Sequence, residues 1–290
     1  MRNTVNGKGF VSLNASKKKV QLTYNTAADS FDDPANAYWE RYGRRTVERL
    51  NLAPGSHVLD VACGTGASAL PAAEIVGAQG RVIGVDFSEN LLALARHKAQ
   101  RRGLDNIEFQ FGDMTQLGFA DETFDAVVCV FGIFFVPDME ALVAELWRTV
   151  KPGGKLAVTT WGPDFFEPLY SAFDNALSTE RPDLVSNFRP WDRIITAEAL
   201  EQLLVNGGAS NVQAVAEEGR QVLNNPESWW KAVLGTGIRA TVEAAGPDLA
   251  ERVRRENLAF IQQNNIGSIA TNVIYGIAQK DIKNVIMLFL

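Results

Sequence analysis

The 290-residue sequence has only two cysteines and two histidines. Cys63 and Cys129 cannot build a disulfide framework, and no Cys/His cluster for a metal ion is visible. No stretch of about 18 apolar residues occurs, so no membrane-spanning helix is expected. The first residues are polar, with Lys17, Lys18 and Lys19 in a row, and lack the apolar core of a signal peptide. A cytoplasmic chain is the expectation. A basic excess is missing too: 28 Lys and Arg against 34 Asp and Glu give a net charge of −6. That balance argues against binding a phosphate backbone, so nucleic acid is not an expected partner. A hydrophobic content of 46% with 21% charged residues excludes a disordered or collagen-like chain. There is no internal repeat and no low-complexity tract.

What is present is an alternation. Residues 1–22 read as a flexible polar arm, and residues 34–50 as a helix with Pro34 near its start. Strands are then expected at His57–Val61, Arg81–Asp86, Ile107–Phe111, Phe124–Phe131 and Lys155–Trp161. Helices are expected between them at Ala67–Val76, Ser88–Arg102 and Met139–Val150, with Ser88 as an N-cap. Short apolar strands alternating with such helices predict an α/β fold with a parallel sheet buried on both faces. After Trp161 the texture changes to an aromatic and proline-rich stretch, then a helix at Thr196–Leu204. Asn211–Glu217 and Ser268–Ala278 read as the last strands. Between them, residues 226–264 read as two helices parted by Gly246-Pro247. The terminal run Val285–Leu290 is too short for a bilayer and reads as a segment docked on the core.

The strongest chemical signal is VLDVACGTG, Val58 to Gly66. A hydrophobic strand delivers Asp60 at its carboxyl end, and Gly64 and Gly66 turn the chain into a helix. Ligands of open α/β sheets sit beyond the carboxyl ends of the strands, and glycines there let backbone N–H groups come close. Asp86 ends the second strand, where an acid can accept from both ribose hydroxyls of a nucleoside. Asp113, in Phe111-Gly112-Asp113-Met114, ends the third. A lone Gly-x-Gly turn is weak, and a strand-terminal aspartate often caps the next helix. Three acids in register after consecutive strands point to a nucleoside site. A nicotinamide dinucleotide site is the rival, because Gly64 to Ala69 nearly follows GxGxxG/A. Against it stands Asp60, which would repel a pyrophosphate but welcome an amino group or a cationic centre.

VLDVACGTG, VIGVDFSENLL, FGDM, FDAVVCVFGIFFVPD and LWRTVKPGGKLAVTTWG together resemble class I S-adenosylmethionine-dependent methyltransferases. The chain is most similar to the branch with ubiquinone/menaquinone C-methyltransferases and many small-molecule methyltransferases. The resemblance covers about Val58 to Gly162. It implies a Rossmann-like, mostly parallel seven-stranded sheet with its last strand antiparallel, here Ser268–Ala278, and helices on both faces. One domain over residues 23–290 is expected, its core at 51–162 and 196–280. A helical cap would come from residues 23–50, 163–195 and 220–266. The resemblance also implies roles. Asp60 and the turn Ala62, Cys63, Gly64 and Gly66 would hold the methionine end of S-adenosylmethionine. Asp86 would take the ribose hydroxyls, with Phe87 against the adenine. Gly112, Asp113 and Met114 would meet the adenine edge, and Phe131 would line the site. Cys63 stands where relatives often carry another small residue, and its size suffices to explain it.

The acceptor is expected to be a small, apolar or aromatic molecule, with carbon, oxygen and nitrogen acceptors left open. RNA or protein acceptors would need a basic groove or an added module, and neither is visible. An NAD(P)-dependent oxidoreductase and a non-catalytic ligand-binding relative are rival readings of the same pattern. Candidate acceptor contacts are Trp39, Phe134, Phe165, Trp191, Trp229 and Trp230, in stretches that also hold Phe31, Tyr42, Phe166, Phe173 and Phe188. The segment Asp29 to Trp39 is the preferred lid. His57 and His97 lie away from the strand ends that carry the acids. Tyr24, Tyr38, Asp164 and Tyr170, with Glu167 and Asp192, are therefore the candidate bases. A monomer or homodimer is expected.

Overall fold

Val58, Leu59 and Val61 of β1 (His57–Val61) are fully buried, which is what a central parallel strand requires. The computed structural model describes residues 15–185 and 189–282. β1 pairs in parallel with β2 (Arg81–Asp86) on one side and β4 (Phe124–Val130) on the other. β3 (Ile107–Phe111) extends the sheet beyond β2, and β5 (Val150–Trp161) beyond β4. β9 (Val273–Gln279) then runs antiparallel between β5 and β6 (Val212–Glu217). The seven-stranded order is β3-β2-β1-β4-β5-β9-β6.

Period-2 alternation divides the core between two faces. Ala126 and Val128 of β4 join Val58 and Val82 under α2 (Tyr38–Leu50), α3 (Ala69–Val76) and α4 (Glu89–Arg101). Val127 and Cys129 join Leu59, Leu156 and Val158 under α5 (Met139–Arg148) and α7 (Ala197–Asn206). Ser88 is the cap the sequence suggests, its Oγ accepting from Leu91 N, and Thr196 Oγ1 accepts from Ala199 N in the same way.

Four expectations need correction. Residues 15–22, read as arm, are helical and open α1 (Ala15–Phe31). Lys151–Gly154, left between the expected helix Met139–Val150 and the expected strand Lys155–Trp161, lies inside β5, where the pairing with β4 shifts register. The strand read as Ser268–Ala278 is two strands. β8 (Ser268–Ala270) pairs with β7 (Arg220–Val222), and only β9 belongs to the main sheet. The break at Thr271-Asn272 is tertiary: Tyr42 donates to Thr271 O at 2.6 Å, and Asn272 Nδ2 donates to Pro163 O at 3.0 Å. Finally, residues 226–264 form three helices, α8 (Glu227–Leu234), α9 (Arg239–Ala245) and α10 (Pro247–Gln263). Gly235 interrupts the first. The chain there passes so close to the N-terminal region that a Cβ would lie 2.1 Å from Asn36 Nδ2.

These helices and α6 (Leu169–Ser178) stand outside the sheet, and α1 packs on α4, α8 and α9. Among the described residues no helix is long and apolar enough to cross a membrane. Residues 1–14, Phe188 and the run Val285–Leu290 lie outside the described residues.

Candidate functional site

The turn after β1 is made by three left-handed residues, Ala62 (φ 59°), Gly64 (53°) and Gly66 (86°). Gly66 is confined: a Cβ would meet Leu70 Cγ at 3.0 Å. The turn is tied to the second strand end, because Gly64 N donates to Asp86 Oδ2 at 2.9 Å. Ser88 N donates to the other oxygen, Oδ1, at 2.8 Å. Burial raises the Asp86 carboxyl above its ordinary value, although these backbone donors pull the other way.

A cavity opens above these strand ends. Ala62 to Thr65, Asp86, Phe87, Gly112, Met114 and Phe131 line its floor. Its roof is Val20, Gln21, Tyr24 and Phe31 of α1 with Trp39 of α2, and Phe135 closes one side. The aromatics interlock. Phe31 stacks on Trp39 at 5.2 Å, Phe131 stacks on Trp161 at 4.1 Å, and Tyr24 meets Phe135 edge-on at 5.4 Å. Polar bonds pin α1 to the rim. Gln21 donates to Phe87 O at 2.9 Å, and Asn90 Nδ2 donates to Asn25 O at 2.9 Å. Thr65 donates to Asp32 at 2.7 Å.

Asp60, Gly66 and Asp113 do not line the cavity. Asp60 lies beneath the turn, 1% exposed, with Ser68 Oγ donating to Oδ2 at 2.7 Å and Oδ1 without a partner. Burial pushes its carboxyl up to about 7, and the nearby Asp86 adds to the rise. Asp113 is held from the side: Lys17 Nζ is 2.5 Å from Oδ2, and Thr115 donates to Oδ1 at 2.8 Å through its hydroxyl. Burial works against its ionised form, but Lys17 and Thr115 keep it below the usual carboxylate range.

The acceptor candidates divide sharply. Of the six, Trp39 alone lines the cavity. Phe134 and Phe165 pack against Trp191 at 5.3 and 4.8 Å. Trp229 is fully buried, with Nε1 donating to Asn257 at 2.8 Å, and Trp230 faces Phe173. These five rings pack the cap. The candidate bases divide the same way. Tyr24 lines the cavity; Tyr38 is buried and donates to Asn36 at 2.5 Å; Asp164 is exposed; Arg189 lies 3.9 Å over the Tyr170 ring. Glu167 accepts from Ser171, and Asp192 from Arg189 N. The sequence reading missed Val20, Gln21 and Phe135. Phe135 could have been found, because it follows the fourth strand; Val20 and Gln21 carry no local signal.

A family profile described as "Methyltransferase domain" matches residues 58–154. A demethylmenaquinone methyltransferase of Bacillus cereus is 42% identical over 113 residues, 39% of this chain and 48% of that protein. The chain thus spans about half the length of the curated relatives it matches. Phosphoethanolamine N-methyltransferase 2 of Haemonchus contortus, solved with S-adenosyl-L-methionine, aligns at TM-score 0.56 and 17% identity, over 93% of this chain and 61% of that one. The [4+2]-cyclase SpnF aligns at TM-score 0.51 and 21% identity, over 84% of this chain and 81% of its own. The sheet order with β9 reversed also departs from the 3-2-1-4-5-6 order of dinucleotide-binding sheets. Residues 58–154 therefore match a methyltransferase domain, and in that segment the chain is similar to demethylmenaquinone methyltransferases.

Proposed function

We propose that the protein transfers a methyl group from S-adenosylmethionine to a small, apolar or aromatic ring acceptor. The carrying observation is a cavity in which an acid-and-glycine floor meets an aromatic roof. The residues fit the donor. Asp86 lines the cavity with both carboxylate oxygens held by backbone N–H groups, and as an acceptor-only group it would take the ribose hydroxyls. Asp113 would take the adenine amine once Lys17 yields it. The donor supplies a methyl group on a sulfonium, which needs no further activation.

The chain's contribution is alignment and dryness. Phe31, Trp39, Phe131 and Phe135 exclude water from the displacement and offer ring faces to a cation. The titratable side chains lining the cavity are Tyr24, Cys63 and Asp86, and burial raises all three. A raised Tyr24 or Cys63 stays protonated and is a poor base. An acceptor that brings its own nucleophile, such as a phenolate, enolate or stabilised carbanion, fits this lining. The name of the Bacillus cereus relative supports a ring acceptor. The fold by itself does not, since a cyclase shares it.

Calorimetric titration with S-adenosylmethionine, S-adenosylhomocysteine and NADH tests the donor. Micromolar binding of both sulfur compounds and none of NADH is expected. NADH binding without either of them would overturn the reading.

A further inference from the structure

Of the described residues that line the cavity, Trp39 alone carries a buried side-chain polar atom without a partner, its indole Nε1. Buried N–H groups are nearly always paired, because removing their water without replacement is costly. The protein offers this one nothing. Its ring is hemmed by Phe31 at 5.2 Å, Tyr38 at 4.7 Å, Phe131 at 5.3 Å and Trp161 at 5.6 Å. The floor's polar groups are differently placed: Gly64 N, Ser68 and Thr65 already donate within the protein.

The same wall says what kind of oxygen would fit. No Lys, Arg or His lines the cavity among the described residues. A neutral acceptor suits this lining better than a phosphate or carboxylate, which would bring a full charge and meet no cationic side chain. A flat ring with one carbonyl-, enol- or phenol-type oxygen has the complementary chemistry: π-faces for the aromatic walls and a single acceptor for the indole N–H.

We propose that Trp39 Nε1–H donates to a ring-borne oxygen of the acceptor, making Trp39 the residue that orients and selects it. This rests on the cavity being the methyl-transfer site. In that role the hydrogen bond would also favour the enolate or phenolate form, since it strengthens as charge gathers on the oxygen.

The test uses two bicyclic probes of nearly equal shape, 1-tetralone, which carries one ring carbonyl, and tetralin, which has none. Each is titrated into the full chain with and without S-adenosylhomocysteine. The wild-type chain should prefer the ketone. Trp39→Phe keeps an aromatic wall and removes the N–H. It should weaken ketone binding roughly 5- to 20-fold, as for a lost buried hydrogen bond, and weaken tetralin binding far less. A nitrogen-15 spectrum of the wild-type indoles gives a readout independent of the variant's folding: the ketone, but not tetralin, should move one indole N–H signal downfield. Equal loss of both probes would mean packing alone. No preference for the ketone in the wild-type chain, or no change in the variant, would overturn the assignment. Selective ketone binding by a chain that takes no S-adenosylhomocysteine would instead retire the donor reading and keep Trp39 as a ring-oxygen donor.

Discussion

Asp60 is almost fully buried, and its unpaired oxygen makes ionisation costly. Its carboxyl is pushed up to about 7 from an ordinary value near 4. Between those pH values the folded chain keeps a proton that the unfolded chain releases. Its stabilising contribution is complete below pH 4 and is lost as pH rises through 7, by at most roughly 4 kcal/mol. Asp60→Asn should therefore flatten the pH dependence of Tm between pH 5 and pH 8 and be the more stable chain at pH 8. Parallel Tm–pH curves for the two proteins would contradict this. Asp86 is the complementary case: its carboxylate already holds two backbone N–H groups and faces the cavity. Asp86→Ala should weaken S-adenosylmethionine and S-adenosylhomocysteine alike, by ~1.5–3 kcal/mol or roughly 10- to 150-fold. Unchanged calorimetric affinity in a folded variant would remove Asp86 from the ribose site. Both acids were legible in the sequence because each ends an apolar strand. Which rings of the cap face the cavity was not. Phe165, Trp191 and Trp229 are as aromatic as Trp39, and only packing decides that they turn away.

Helix α1 closes the site with bonds that can be exchanged. Lys17 sits on the carboxylate of Asp113, the group expected to receive the adenine amine, and its side chain is 25% exposed. A partly exposed ion pair is worth about 0.2–1 kcal/mol, so its competition with the donor is modest. Lys17→Met should tighten S-adenosylmethionine binding roughly two- to fivefold at most, and added salt should narrow the difference between variant and wild type. Weaker binding by the variant would show that Lys17 buttresses Asp113 rather than blocking it. The sequence hid this helix start because Lys17-Lys18-Lys19 looks like a solvated arm. Its partners lie ninety or more residues away, on the third strand end. Strands β1, β2 and β4 were readable because their burial is written in their apolarity. The division of the last segment into β8 and β9 was not, since nothing within Ser268–Ala278 breaks a strand. Tyr42 and Pro163 hold the break from outside.

Across the whole molecule, the donor side and the cap meet at one hairpin. β6 and β9 are antiparallel neighbours, and Glu217 pairs with Val273. Everything from residue 218 to residue 272 is thus an excursion between two positions already side by side, and it carries β7, α8, α9, α10 and β8. Replacing residues 218–272 by Asn-Gly supplies a two-residue hairpin turn without disturbing the sheet order. The excision costs packing, because Trp229 is fully buried beside Phe166 and Tyr42 loses its acceptor at Thr271. It also removes the α8 and α9 supports of α1 and of the turn that follows it, including Arg239–Asp29 and Lys231–Asp33. The shortened chain should melt at a lower temperature. S-adenosylhomocysteine affinity should stay within roughly tenfold of wild type, since the floor residues lie outside the excised segment and the ion pairs lost near the rim are weak. Circular dichroism and calorimetry on the same sample decide the matter. A folded, shortened chain that no longer binds S-adenosylhomocysteine would mean that the excursion shapes the donor site itself, and that floor and cap are one inseparable unit.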